Sequence, residues 1–264
     1  MMKNGVNNML GVILAGGKGT RLNGFTKTVT NKHLAPVYSE KDGAKPMIDY
    51  PINTLKRMGV TKILIITSRE HCGDIVEHCG DGYDKGLEFT YKIQEMGDPN
   101  RPIGIASALK LAKDFTGDQN FVVILGDNYF EWSSTLGEVV SDFEINDSLK
   151  CGLFLKKTDD WSRFGVAEIY DKPNERGFVQ IKRIVEKPKN FVSDLAVTGM
   201  YVYTPDVYQY LDQLTPSQRG ELEISDINSM YVEKNQIWWT TIYSYWSDMG
   251  TPSSMLEVQK FLNE

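Results

Sequence analysis

The apolar run from Met9 to Ala15 passes directly into Gly16-Gly-Lys-Gly-Thr-Arg-Leu22, and this junction restricts the fold more than any other stretch of the chain. A buried strand is expected up to Ala15, followed by a loop that must turn sharply. The glycines at 16, 17 and 19 have no β-carbon, so the backbone can bend and bring amide N–H groups close to an anion. Lys18, Arg21, Lys27 and Lys32 add positive charge. The first 39 residues hold five Lys or Arg and no Asp or Glu, whereas the rest sets 24 basic against 35 acidic side chains, a balance of -11. Charge segregated in this way points to a focused site for a small polyanion and away from a nucleic-acid track. Glycines behind a strand also serve an ordinary tight turn, and two phosphate-binding patterns fail on spacing. Lys18 is followed by glycine where a P-loop needs Ser or Thr. Arg21 and Leu22 stand where a dinucleotide fingerprint needs its third glycine, and the first acidic residue is Glu40.

At 264 residues and 41% hydrophobic content the chain can bury a large core. No apolar run is long enough for a membrane span, and the start Met-Met-Lys-Asn-Gly-Val lacks the apolar centre of a signal peptide, so a cytoplasmic protein is expected. Cys72, Cys79 and Cys151 form an odd set without Cys-x-x-Cys, which fits unpaired thiols in a reducing compartment. His71, Cys72, His78 and Cys79 match no zinc spacing and read as part of an ordinary surface helix.

Strand-like runs at 10–14, 62–67, 88–93 and 121–125 alternate with helical patterns at 47–58, 74–79, 105–115 and 136–143. Such alternation predicts an α/β fold with a mostly parallel sheet flanked by helices, and ligands beyond the carboxyl ends of its strands. Later strands are expected at 151–156, 164–170, 178–185, 197–203 and 237–244, with helices at 205–211, 225–233 and 252–262. No linker or repeat divides the chain. Segments 39–44 and 97–102 read as polar loops. Asp127, directly after Phe121-Val-Val-Ile-Leu125, and Asp248, after an aromatic run, are candidate ligands for magnesium, which is commonly held by one or two carboxylates plus substrate phosphates. Either could alternatively serve a turn or a helix cap.

Eight landmarks occur in one order: the loop 14–22, Asn31-Lys-His-Leu-Ala-Pro36, Lys45-Pro-Met-Ile-Asp-Tyr-Pro51, Gly126-Asp-Asn128, Glu186-Lys-Pro188, Ala196-Val-Thr-Gly199, Arg219-Gly-Glu-Leu-Glu-Ile-Ser-Asp-Ile-Asn228 and Trp246-Ser-Asp-Met-Gly-Thr251. In these the chain resembles the sugar-1-phosphate nucleotidyltransferases, most closely their short glucose-1-phosphate thymidylyltransferase branch. The resemblance implies a Rossmann-like three-layer sandwich of nucleotide-diphospho-sugar transferase type, with a mostly parallel central mixed sheet. It implies one domain over 1–264, with a nucleotide-binding half at about 9–130 and a sugar-binding half at about 131–264.

The resemblance also assigns roles. Arg21 and Lys32 would be catalytic. Leu14, Gly16, Gly17, Gly19, Thr20, Gln94 and Gly104 would bind the nucleotide, with Gln94 and Gly104 reading the base. Gly165, Glu186, Lys187 and Val197 would bind the sugar phosphate, and Asp127 and Asp248 would bind Mg2+. Arg219 and Glu221 to Asp226 look like a branch signature, and Ser225 with Asp226 also suits a helix start. The implied reaction joins dTTP, or UTP, to a hexose 1-phosphate, with no nucleic acid or membrane partner, in a homo-oligomer. A silent sensor on the same fold would have lost Arg21, Lys32, Asp127 or Asp248, and all four are present. Departures from the family pattern fall at His33 (commonly Gln), Ser107, Phe164 and Met249, and bear on base and sugar preference more than on reaction type.

Overall fold

The computed structural model describes residues 9–17, 31–95, 102–138, 148–175 and 177–264. In chain order its first strands are β1 (Leu10–Ala15), β2 (Pro36–Ser39), β3 (Gly43–Pro46), β4 (Lys62–Ser68), β5 (Glu88–Gln94), β6 (Phe121–Leu125) and β7 (Asn128–Phe130). The later ones are β8 (Cys151–Lys157), β9 (Gly165–Ile169), β10 (Ile181–Glu186), β11 (Leu195–Tyr203), β12 (Ile237–Thr241) and β13 (Trp246–Asp248). Nine of these form one sheet in the order β10-β9-β11-β6-β1-β4-β5, with β8 paired to β11 and β12 paired to β8. First-half strands pair parallel, β1 with β4 and β6, and β4 with β5. Second-half strands return antiparallel, except that β12 runs parallel to β8.

The physical reason is legible in β1, where all six residues are buried. Side chains of a strand alternate between faces, and β1 feeds two cores. Ile13 and Ala15 pack with Ile52 and Leu55 of the helix Asp49–Arg57 and Ile75 of the helix Cys72–Cys79. Leu10, Val12 and Leu14 pack on the other face with Leu109 of the helix Ile105–Lys110 and with Ile227 and Tyr231 of the helix Ile224–Glu233. A strand covered on both faces must be continuously apolar, and fully burying each of its large aliphatic side chains contributes about 1.5–3 kcal/mol. The result is three layers. Among the described residues, no helix is long and apolar enough to cross a membrane.

Several details differ from the sequence expectation. Segment 39–44 is the tip of the β2–β3 hairpin, in which Pro36 pairs with Pro46 and Ser39 with Gly43. The stretch 105–115 is two helices, because the N–H groups of Leu111 and Ala112 bond three residues back to Ala108 and Leu109 and tighten the turn before the helix Lys113–Thr116. The strand expected at 178 starts at Ile181, leaving Phe178 exposed. Residues 134–138 are helical, while the rest of the helix expected over 136–143 and most of the 97–102 loop lie outside the described residues. His71 and Cys79 face the core rather than solvent, and His78 pairs with Asp49 at 2.9 Å.

A smaller third core joins Val37 and Met47 of the hairpin region to Met249, Met255 and Val258. The last two lie on the helix Pro252–Leu262, which starts with a reciprocal cap: Thr251 Oγ1 accepts from the Ser254 N–H, and Ser254 Oγ accepts from the Thr251 N–H. Losing such a cap typically costs ~1 kcal/mol. This helix starts four residues after Asp248 and packs on β2, so it ties that carboxylate to the hairpin that follows Lys32.

Candidate active site

β1 and β6 are adjacent and parallel, so both end on the same rim of the sheet. The Gly126 N–H bonds to the Leu14 carbonyl at 2.9 Å and locks the two ends together. A cavity of about 770 Å³ opens above them, within the range of small-molecule sites. Leu14, Gly16 and Gly17 form its floor on the β1 side, and Asp127 follows β6.

Lys32 enters from the short turn Lys32–Leu34, where Asn31 Oδ1 accepts from the His33 N–H at 3.0 Å. The Ile48 N–H donates to the His33 carbonyl at 2.8 Å, fixing the turn to the next helix. The Lys32 ammonium donates to Asp127 Oδ2 at 2.7 Å, both side chains being mostly buried. Burial alone would raise the Asp127 carboxyl; the Lys32 charge and hydrogen bonds from Lys32 and Asn128 outweigh it and hold the group well below the usual carboxylate range.

Asn128 is fully buried and orients Asp127. Its Oδ1 accepts from the Trp246 indole at 2.8 Å and from the Gly199 N–H at 3.2 Å, which turns Nδ2 toward Asp127 Oδ1 at 3.1 Å. A β-carbon on Gly199 would lie 2.5 Å from Asn128 Oδ1, so only glycine admits this approach. β7 pairs with β13 and sets Asn128 opposite Asp248, and the Met249 N–H donates to the Asp127 carbonyl at 2.6 Å. The two aspartates, 121 positions apart in the sequence numbering, thus reach one cavity.

Gln94 and Gly104 stand together at the other end of the cavity, Gln94 Nε2 donating to the Gly104 carbonyl at 3.4 Å. Gly104 has φ +121°, and a β-carbon there would lie 2.5 Å from the Leu222 carbonyl. The opposite wall carries Gly165, Glu186, Lys187 and Val197. Lys187 adopts φ +40°, an uncommon conformation for a residue with a side chain, and its N–H donates to the Phe164 carbonyl at 3.0 Å. Arg219 joins this wall, held by Glu223 at 2.7 Å and Glu221 at 2.9 Å. Burial would raise the Glu223 carboxyl, but bonds from Arg219 and Ser217 hold it low. The Ser225-Asp226 pair sits in the first turn of the helix Ile224–Glu233, as its composition leads one to expect.

The structure therefore brings Leu14, Gly16, Gly17, Lys32, Gln94, Gly104, Asp127, Gly165, Glu186, Lys187, Val197 and Asp248 to one cavity. Gly19, Thr20 and Arg21 lie outside the described residues. Sequence reasoning missed Arg163, whose guanidinium meets Asp248, and the service of Asn128 and Trp246 to Asp127. The signal for Asn128 was its place in Gly126-Asp-Asn128; Arg163 carries none beyond standing before Phe164-Gly165.

As cation ligands, the two carboxylates offer hard oxygens, the donor type magnesium takes. Among the described residues no cluster of three or more His, Cys, Asp or Glu side chains could hold a metal. A cation held by Asp127 and Asp248 would therefore draw further oxygens from a bound phosphate or water, as magnesium commonly does. The residues fit.

The family model for nucleotidyl transferases matches residues 10–264. A low-salt glycan biosynthesis nucleotidyltransferase of Haloferax volcanii is 36% identical over 257 residues, covering 97% of this chain and 66% of that protein. A glucose-1-phosphate thymidylyltransferase of Neisseria meningitidis is 37% identical over 259 residues, 96% of this chain and 82% of that one. Among solved structures, a Bacillus anthracis protein provisionally assigned as a glucose-1-phosphate thymidylyltransferase, in complex with sucrose, superposes with a TM-score of 0.85 at 40% identity, covering 97% and 96% of the two chains. UDP-glucose pyrophosphorylase complexed with UDP-glucose superposes at 0.79 with 22% identity over 96% of this chain and 97% of that one, a likeness of fold.

Proposed function

Because this chain belongs to the nucleotidyl transferase family, we propose that its reaction joins dTTP to glucose 1-phosphate, giving dTDP-glucose and pyrophosphate. It is a nucleotidyltransferase. The observation that carries the specific reading is the convergence, in one cavity, of the glycine-bearing end of β1, Lys32, two carboxylates and the Gln94–Gly104 pair, opposite Glu186 and Lys187. Thymidylyltransferase relatives over nearly the whole chain support it.

An oxygen of the sugar phosphate attacks the α-phosphorus in line; the new P–O bond forms as the bond to the β-phosphate oxygen breaks, and pyrophosphate leaves. The incoming phosphate is already an anion, so no side-chain nucleophile is needed. Catalysis is positioning and charge stabilisation. Lys32 supplies a fixed positive charge at the reacting phosphate, and Arg21 does the same from the glycine loop. Gln94 reads the pyrimidine edge. Glu186, Gly165 and Val197 hold the hexose, and Lys187 its phosphate. Asp127 and Asp248 hold Mg2+, which when bound neutralises phosphate charge. A cytoplasmic homo-oligomer is the proposed setting, on family likeness and on three unpaired thiols.

The test is pyrophosphate release with magnesium, pairing dTTP, UTP, CTP, ATP and GTP with glucose 1-phosphate and other hexose 1-phosphates. The expected result is fastest release with dTTP and glucose 1-phosphate. UTP is the competing nucleotide, since Gln94 can read edge groups that uracil and thymine share. Faster release with UTP would overturn the nucleotide assignment. No release from any pair, with a nucleotide still raising the melting temperature, would make the protein a sensor.

A further inference from the structure

Both carboxylates proposed to hold the cation are already engaged by basic side chains. At Asp248 the engagement has the geometry of a stand-in. Nη2 of Arg163 lies 2.7 Å from Oδ1 and 3.0 Å from Oδ2, so one nitrogen straddles the carboxylate edge that a cation would take. The side chains are 33% and 17% exposed, so the pair is less screened than a surface ion pair. Asp127 repeats the pattern, with Lys32 on Oδ2. A divalent cation reaching Asp248 must displace the guanidinium, since two positive charges on one carboxylate edge repel.

Arg163 has other anchors. Its Nη1 lies 3.4 Å from Asp160 Oδ2, and the guanidinium lies over the Phe164 ring, 5.1 Å from its centre. These contacts keep it at the cavity wall when it leaves Asp248. Resting on the reading of the site given above, we propose that Arg163 is an exchange cation. It holds Asp248 in the free enzyme and cedes it when metal and nucleotide arrive together. The freed guanidinium then turns to a phosphate oxygen, the acceptor it recognises best. Metal alone binds weakly, because it must break the ion pair and leaves the arginine only its longer contact to Asp160 and the Phe164 ring. Metal with a triphosphate binds well, because the phosphates do. Arg163 is therefore a positioning residue for Asp248 that makes metal binding wait for nucleotide.

The experiment is Mn2+ binding to the full chain by electron paramagnetic resonance, for wild type, R163Q and R163K, with and without the non-transferable analogue α,β-methylene-dTTP. Without nucleotide, R163Q is expected to bind Mn2+ about tenfold more tightly than wild type, the scale of a lost charge-assisted competitor. R163K keeps the charge but not the fork, and is expected to fall between. The analogue is expected to raise wild-type affinity at least about tenfold, and that of R163Q by less. Far-ultraviolet circular dichroism checks folding, and R163K carries the test if R163Q does not fold. A folded variant that binds Mn2+ alone no more tightly than wild type overturns the proposal, as does a wild type that gains no more from the analogue than R163Q. The arm without nucleotide is independent of which triphosphate the enzyme uses, so wild-type turnover scores the proposed reaction separately.

Discussion

His33 sits beside Lys32 in a place with no room for a second positive charge. Its ring is buried, and Nδ1 has no hydrogen-bond partner among the described residues. Burial first, and the Lys32 ammonium second, push its pKa down from the ordinary 6.5 to about 3. The sign follows from proton uptake. Between pH 6.5 and about 3 the unfolded chain binds a proton at this position and the native chain does not, so stability is complete above 6.5 and falls as the pH falls. Each pH unit inside that window is worth at most ~1.4 kcal/mol. From pH 7 to pH 5 the loss from this one group is about 2 kcal/mol, because the unfolded histidine is already partly protonated at the upper end. Asp127 does not contaminate this window: its lowered carboxyl stabilises the fold above the unfolded value near 4, and that contribution is lost only at more acid pH. The perturbation is His33→Gln, which keeps a polar side chain of similar size but cannot take up the proton. The assay is urea unfolding at pH 7 and pH 5 for both proteins, with the histidine ring resonances followed in parallel. Wild type is expected to lose about 2 kcal/mol more than the variant over that interval, and the His33 ring to stay neutral at pH 5. A difference below about 0.5 kcal/mol, or a His33 resonance titrating near 6.5, would refute the reasoning.

Lys32→Ala is expected to lower turnover at least about 10²-fold to 10³-fold, the scale of losing one preorganised donor, with circular dichroism unchanged; near-normal turnover would remove Lys32 from the mechanism. Gly199→Ala would push a methyl to 2.5 Å from Asn128 Oδ1. It should destabilise by about 2 kcal/mol or more in urea unfolding and lower turnover with it, since Asn128 orients Asp127. Chelation of divalent cations is expected to abolish pyrophosphate release while leaving the melting temperature of the protein without nucleotide within about a degree, because the ion pairs on Asp127 and Asp248 are built from the chain's own residues. A melting temperature that falls sharply on chelation would make the cation structural.

The elements that create the β1–β6 end of the cavity, proposed above to take the nucleotide, were legible because their causes are local. A continuous apolar run marks a strand buried on both faces, and β1, β4 and β6 all carry one. The glycines beyond Ala15, and Asp127 one glycine beyond β6, stand where such strands must end. A helix over 252–262 was expected and is observed as Pro252–Leu262, while its reciprocal cap between Thr251 and Ser254 is a finding of the structure. What tertiary structure alone decided is which distant groups meet. The three-residue strands β7 and β13 are too short to show any period, yet their pairing brings Asp248 to Asp127. Arg163 reaches Asp248 across 85 positions, and Trp246 reaches Asn128 across 118. Pattern along a chain reports which face of an element is buried, because burial acts on each element separately. Hydrogen bonds between such partners depend on how the sheet's crossovers and its antiparallel return place the ends of different strands, and no local period encodes that.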